Sequence, residues 1–150
     1  LVAYVGAISN EADKSKLFAM AEVYLHTAHD PVFNDPCPTT VLEAQMCGVP
    51  VVGLKSGGLS EIVYEPKFVF EKIEDLAYCL HGKYYKDIKR QDVREWAREH
   101  HSHLAMARRY NEVFKKALLA RGVRIFRLSF LFGFPAKLFS YFSLIVFLVG

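Results

Sequence analysis

Little in this sequence could tie the chain to itself covalently. Its 150 residues hold three cysteines, Cys37, Cys47 and Cys79, with no C-x-x-C spacing and no histidine placed to complete a zinc site. The sequence therefore offers no zinc site, and free thiols in a reducing compartment are expected. Acidic residues are missing from the last thirty positions, which hold Arg121, Arg124, Arg127 and Lys137. Those four are the source of the formal charge of +3, because residues 1–120 keep 15 of the 19 basic groups and all 16 acidic ones. A globular part with a net charge of −1 lacks the footprint of a nucleic-acid binder. Internal repeats and low-complexity tracts are absent. The first run, Leu1 to Ile8, carries no charge, lacks the basic flank and cleavage pattern of a signal peptide, and ends in Ser9-Asn10 as a strand does.

What is present alternates between short apolar runs and amphipathic stretches. Tyr4 to Ile8 reads as a strand, and Asn10 as the cap of a helix with Leu17, Met20 and Ala21 on its apolar face. Val23 to Thr27 reads as a second strand, and His29 to Pro36 as a loop. Lys67 to Phe70 predicts a further strand, followed by a helix over Ile73 to Leu80 with Leu76, Ala77 and Leu80 on one side. Asp92-Val93-Arg94-Glu95 has the form of a capping box opening a helix. A final helix from about Leu104 repeats Met106, Tyr110, Val113, Phe114, Ala117 and Leu118 at 3-4 spacing. Helices alternating with short strands predict an α/β fold with a doubly wound parallel sheet.

The stretch from Asn34 to Glu61 is the most informative. Asp35 lies in a proline-punctuated loop, Pro38 suits the first position of a helix, and Glu43 lies on that helix. Gly48 suits a left-handed helix end, Pro50 forbids continuation, and Val51 to Leu54 forms a short apolar run typical of a buried parallel strand. Ser56-Gly57-Gly58 then turns into another helix. A helix N-terminus at the carboxyl edge of parallel strands offers free N–H groups to an anion. Carboxylates beside such a spot repel phosphate, so Asp35 and Glu43 are expected to accept hydrogen bonds from hydroxyls of the same ligand. A sugar-bearing diphosphate has both features.

The ordered string D-P-C-P-T-T-V-L-E-A-Q-M-C-G-V-P-V-V-G followed by S-G-G-L-S-E-I-V resembles the donor-binding half of GT-B glycosyltransferases, particularly the retaining family 4 enzymes. Asp35 and Glu43 have the spacing of that family's E-x7-E motif, with Asp in the first place. The resemblance covers roughly residues 4 to 118. It implies a Rossmann-like domain in which Glu43 holds the ribose diol and Asp35 binds hydroxyls of the transferred sugar. The amides of the segment after Asp35, through Pro36, Cys37, Pro38, Thr39 and Thr40, would approach the sugar-phosphate, with Gly57 and Gly58 offering close backbone approach. Asp35 and Glu43 would orient the donor without transferring protons. No cofactor and no metal are implied, only a nucleotide-sugar donor and a sugar or lipid-linked hydroxyl acceptor.

A two-domain GT-B enzyme is longer than 150 residues, so residues 1–120 are expected to form one N-terminally incomplete Rossmann-like domain, with the acceptor-binding domain upstream. His26 and His29 lie near the expected site, where packing or solvent-facing roles compete with a general-base role. His100, His101 and His103 do not converge as an i, i+4 metal pair would, and a hinge or interface role is expected of that joint. Residues 121–150 are basic and then apolar: Pro135 and Lys137 leave an uninterrupted apolar run only from Leu138 to Val149. A membrane-spanning, interfacial or re-entrant segment and a misread gene end all fit that tail. The location expected is the cytoplasm, with the tail on the cytoplasmic face of a membrane. The competing function is a non-catalytic nucleotide-sugar-binding or membrane-tethered interaction module.

Overall fold

A computed structural model describes residues 4–28 and 35–121. It divides into two units, the first ending at His101 and the second beginning at Ser102. The first contains helix α1 (Glu11–Met20), strand β1 (Tyr24–His26), helix α2 (Thr39–Met46), strand β2 (Val51–Leu54) and the short helix α3 (Leu59–Ile62). A 3-10 turn at Pro66–Phe68, strand β3 (Val69–Phe70), helix α4 (Ile73–Gly82), a second 3-10 turn at Tyr84–Asp87 and helix α5 (Arg90–His101) complete it. Among the described residues the second unit is helix α6 (His103–Ala120), capped by Ser102, whose hydroxyl accepts from the Ala105 amide at 3.2 Å.

The three strands form a parallel sheet in the order β1-β2-β3. Successive side chains of a strand point to opposite faces, and β2 shows the consequence for a sheet covered on both sides. Val51 packs with Val41 of α2 and with Leu59, Ile62 and Val63 around α3, whereas its neighbour Val52 packs with Phe68, Leu76, Cys79 and Tyr85. Each such buried side chain contributes about 1.5–3 kcal/mol. The expected doubly wound α/β class is the observed one. A third cluster joins Phe18 of α1 to Ala44 and Val49.

The stop between α2 and β2 follows the sequence signals closely. Gly48 adopts φ 76°, the Gly48 amide donates to the Gln45 carbonyl at 2.8 Å, and the Val49 amide donates to the Ala44 carbonyl at 3.0 Å. That pair of bonds is a Schellman motif, and it aims the chain straight into β2. A side chain at Gly48 would also press on the Arg90 carbonyl oxygen, 2.6 Å from where its Cβ would stand.

Several expectations are corrected. Residues 4–10 form no strand: Gly6 takes φ 72°, which breaks an extended path, and Tyr4 and Val5 are exposed. On α1 the buried residue is Phe18, while Leu17 and Met20 face out. The face turned to α2 is Lys14, Ser15 and Phe18, a stripe whose polar members hide it from a hydrophobic count. Strand β3 is shorter than Lys67 to Phe70 because Pro66 starts a 3-10 turn that takes up Lys67 and Phe68. On α4 the buried pair is Leu76 and Cys79, and Ala77 is exposed. Helix α5 begins at Arg90, so Asp92 lies within its first turn and is not its cap. Arg94 and Glu95 of the expected box bond instead to the Cys47 carbonyl and the Gln91 side chain. The tail readings for residues 122–150 and the reading of His29 lie outside the described residues.

Candidate functional site

The carboxyl ends of β1 and β2 lie side by side, and the chain leaves them through His26 and through Ser56-Gly57-Gly58. Helix α2 starts at the same edge. Pro38 is its N-cap, one residue ahead of the expected first position, with φ −64° already helical in value. The amides of Thr39 and Thr40 stand in the first turn, where a helix offers them no carbonyl of its own. The Thr40 hydroxyl accepts a hydrogen bond from Tyr24 of β1 at 2.9 Å, which ties the helix start to the strand.

Asp35 is exposed, and its Oδ1 accepts a hydrogen bond from the Cys37 amide at 3.0 Å. This Asx turn fixes the carboxylate and engages the Cys37 N–H, one of the donors expected to face an anion. The backbone of Asp35 and Pro36 lies directly against the two glycines. A Cβ on Gly57 would overlap the Asp35 carbonyl oxygen, and one on Gly58 would overlap that of Pro36. Gly57 also holds φ 44°, a conformation side chains resist. The glycine pair thus lets two protein loops meet, a role distinct from close approach to a ligand.

Glu43 faces the other way along α2, sharing a helix side with Thr39. The two line a cavity of about 330 Å³ with Glu11, Lys14 and Phe18 of α1 and with His101. The Lys14 ammonium lies 3.1 Å from Glu43 Oε2 and 2.9 Å from Glu11 Oε1. Glu11 first and Glu43 second hold the Lys14 ammonium above the ordinary lysine pKa. One cation serves two carboxylates, so the cavity keeps acceptor capacity for hydroxyl donors. Glu43 Oε2 is shut off from solvent and has no hydrogen-bond partner; the Lys14 ammonium faces it at 3.1 Å as an ion pair.

His26 is buried at the end of β1, with Nε2 3.5 Å from the Oγ of the equally buried Ser56. Burial pushes its imidazole below the ordinary histidine pKa, and the Asp35 charge pulls in the opposite direction. Its backbone needs Gly53 beside it, since a Cβ there would stand 2.8 Å from the His26 carbonyl oxygen. His26 therefore packs against Gly53 and Ser56 at the end of β1 and β2.

Three residues that support this edge escaped the sequence reading. Gln45 is fully buried, donating from Nε2 to the Ile62 carbonyl and accepting the Tyr64 amide at Oε1, both at 2.7 Å. It satisfies backbone groups at the end of α3; an amide inside an apolar helix face, between Val41 and Val49, is the signal that marks it. Arg90 reaches back to the carbonyls of Ala19, in the last turn of α1, and Ala21, its C-cap, and Arg94 reaches that of Cys47 after α2 at 3.0 Å. Cations at helix C-termini stabilise the ends of both helices, but separations of 69 residues (Arg90 to Ala21) and 47 residues (Arg94 to Cys47) leave no local trace.

The histidine joint has a packing arrangement. His100 stacks on Trp96 at 5.0 Å and its Nδ1 lies 2.9 Å from the Trp96 carbonyl, while His101 meets the same indole edge-on. Among the described residues no group of three or more His, Cys, Asp or Glu is placed to hold a metal ion.

A family model described as glycosyl transferases group 1 matches residues 2–100. No curated protein and no solved structure matches the chain.

Proposed function

The chain belongs to the glycosyl transferases group 1 family, and from that membership we propose that it carries the donor-binding part of an enzyme that transfers a sugar from a nucleoside diphosphate to a hydroxyl acceptor with retention. The observation that supports this reading is the position of Glu43. It lines a cavity with Thr39, the first residue of α2, and is paired there with Lys14. With Oε2 turned to Lys14, Oε1 is left to accept from a ribose diol, and the amides of Thr39 and Thr40 favour the negative charge of a diphosphate. Asp35, anchored by the Cys37 amide yet open to solvent, has remaining lone pairs for hydroxyls of the transferred sugar.

In this reading the residues act by positioning. Glu43 fixes the nucleoside and Asp35 fixes the sugar, so that the bond between anomeric carbon and phosphate oxygen is held ready to break. The helix terminus stabilises charge on the departing diphosphate. The acceptor, a sugar or lipid-linked hydroxyl, is held by a further domain of GT-B type, so residues 1–150 alone bind nucleoside diphosphate weakly and do not turn over. The test is to supply the full-length enzyme with individual nucleotide-sugars, follow diphosphate release, and read the anomeric configuration of the product by proton NMR. Release with retained configuration supports the reading. Inverted configuration, or no release with any nucleotide-sugar, overturns it.

A further inference from the structure

The cavity beside Glu43 is lined by a second carboxylate, Glu11, and by Lys14, which touches both. The Lys14 ammonium donates to Glu11 Oε1 at 2.9 Å and faces Glu43 Oε2 at 3.1 Å. Those two oxygens therefore lie within about 6 Å of each other, with one nitrogen in contact with both. Phe18, Leu42 and Met46 line the same cavity and give it apolar surface for a ring. Its volume of about 330 Å³ is in the range of small-ligand sites.

The hydrogen bonds this trio can make to a ligand follow from its chemistry. A carboxylate only accepts, and an ammonium has three protons and no acceptor. One Lys14 proton goes to Glu11 and the charge faces Glu43, which leaves a proton for an acceptor on a ligand. Glu43 keeps Oε1, and Glu11 keeps Oε2, for donors on a ligand. In the order Glu43, Lys14, Glu11 the cavity thus offers an acceptor, a donor and an acceptor.

A nucleoside seated with its ribose at Glu43 turns toward Lys14 and Glu11 the edge of the base that lies beside the sugar. Along that edge adenine offers only its N3 acceptor and a pyrimidine only its O2 acceptor, whereas guanine adds the donor of its 2-amino group. With the ribose 2′-hydroxyl as the first group, guanosine presents a donor, an acceptor and a donor. That is the complement of the trio. With any of the other bases the Glu11 carboxylate meets no donor on that edge.

We propose that the donor is a guanosine diphosphate sugar, with Glu11 accepting from the guanine 2-amino group, Lys14 donating to guanine N3 and Glu43 accepting from the ribose. This rests on the donor-site reading above and adds to it the base and a role for Glu11.

The experiment is isothermal titration of the full-length enzyme, and of its Glu11→Ala and Glu43→Gln variants, with GDP, IDP, UDP and ADP. IDP keeps the ribose and N3 of GDP and lacks only the 2-amino group. The Glu11 side chain is 80% exposed at the first residue of α1, and the Asn10 cap does not involve it, so unchanged circular dichroism is expected of Glu11→Ala. The parent binds GDP about tenfold or more tightly than IDP, the effect of one hydrogen bond to a charged group, and binds UDP and ADP more weakly than GDP. In Glu11→Ala the affinity for GDP falls to that for IDP, which stays nearly unchanged. An equal loss for GDP and IDP would mean that Glu11 serves only to place Lys14, and overturns the proposal. Tighter binding of UDP or ADP than of GDP also overturns it, and leaves the donor site standing if Glu43→Gln weakens that binding. Four nucleotides that do not bind, or that bind Glu43→Gln as tightly as the parent, overturn the base assignment and the donor site together.

Discussion

The Asp35 carbonyl oxygen occupies the space that a side chain on Gly57 would need, and Gly57 itself sits at φ 44°. The loop carrying the expected sugar carboxylate is thereby seated on the loop that follows β2. Gly57→Ala must push the two apart while straining its own backbone. We expect a loss of about 1–3 kcal/mol in folding stability, measured by urea denaturation, together with a drop in transfer because Asp35 moves. A variant as stable and as active as the parent would show that the two loops separate without consequence.

On the roles proposed for the two carboxylates, Asp35→Asn should separate recognition of the sugar from recognition of the nucleotide. The amide still accepts the Cys37 N–H, so the turn survives, but its charge is gone. Transfer is expected to fall while affinity for the free nucleoside diphosphate stays nearly unchanged, since that ligand lacks the contacted hydroxyls. Parallel steady-state kinetics and calorimetry check this, and an equal loss in both would refute the division of roles. Asp35→Glu is the companion measurement, asking whether a loop fitted to the shorter arm accepts the family's usual residue.

Gln45 tests the scaffold beneath the site. Gln45→Leu keeps the volume but leaves the Ile62 carbonyl and the Tyr64 amide without their 2.7 Å partner. The expected cost is about 2–4 kcal/mol, read as a lower urea midpoint. A change below about 0.5 kcal/mol would mean that both groups find other partners at no cost.

The pH dependence of stability should carry the signature of His26. Its folded-state pKa lies below the unfolded value, because burial disfavours the imidazolium. Below about pH 6.5 the unfolded chain therefore binds more protons, so the stability present at neutral pH declines as the pH falls through that window. His26→Gln removes the titrating group. Urea midpoints followed from neutral to mildly acid pH should fall more steeply in the parent than in the variant, and parallel slopes would contradict the assignment.

The elements that the sequence announced are those whose causes are local. Gly48 and Pro50 stop α2, the apolar run Val51 to Leu54 is β2 to the residue, and Asn10 caps α1 through its side chain, 2.8 Å from the Ala12 amide. The spacing of Asp35 and Glu43 was equally plain. Their surroundings were not. Lys14 reaches Glu43 from another helix, Arg90 and Arg94 close two helix ends from α5, and the glycine pair faces a loop some twenty residues earlier. Each of these is a tertiary contact between residues that look ordinary in their own windows. Tyr4 to Ile8 failed for the converse reason: a strand-like composition does not form a strand where Gly6 turns the backbone aside.

The central claim is that Glu43, held by Lys14, recognises the nucleoside part of a sugar donor. Isothermal titration of the full-length enzyme with UDP and with GDP, before and after Glu43→Gln, tests it most directly. Loss of the charge-assisted bonds predicts affinity weaker by about 1–3 kcal/mol for whichever nucleotide the parent binds. Lys14→Met should weaken binding in the same direction by freeing the carboxylate from its anchor. Unchanged affinity in Glu43→Gln would contradict the account and leave Glu43 as no more than the partner of Lys14 in a helix-to-helix ion pair.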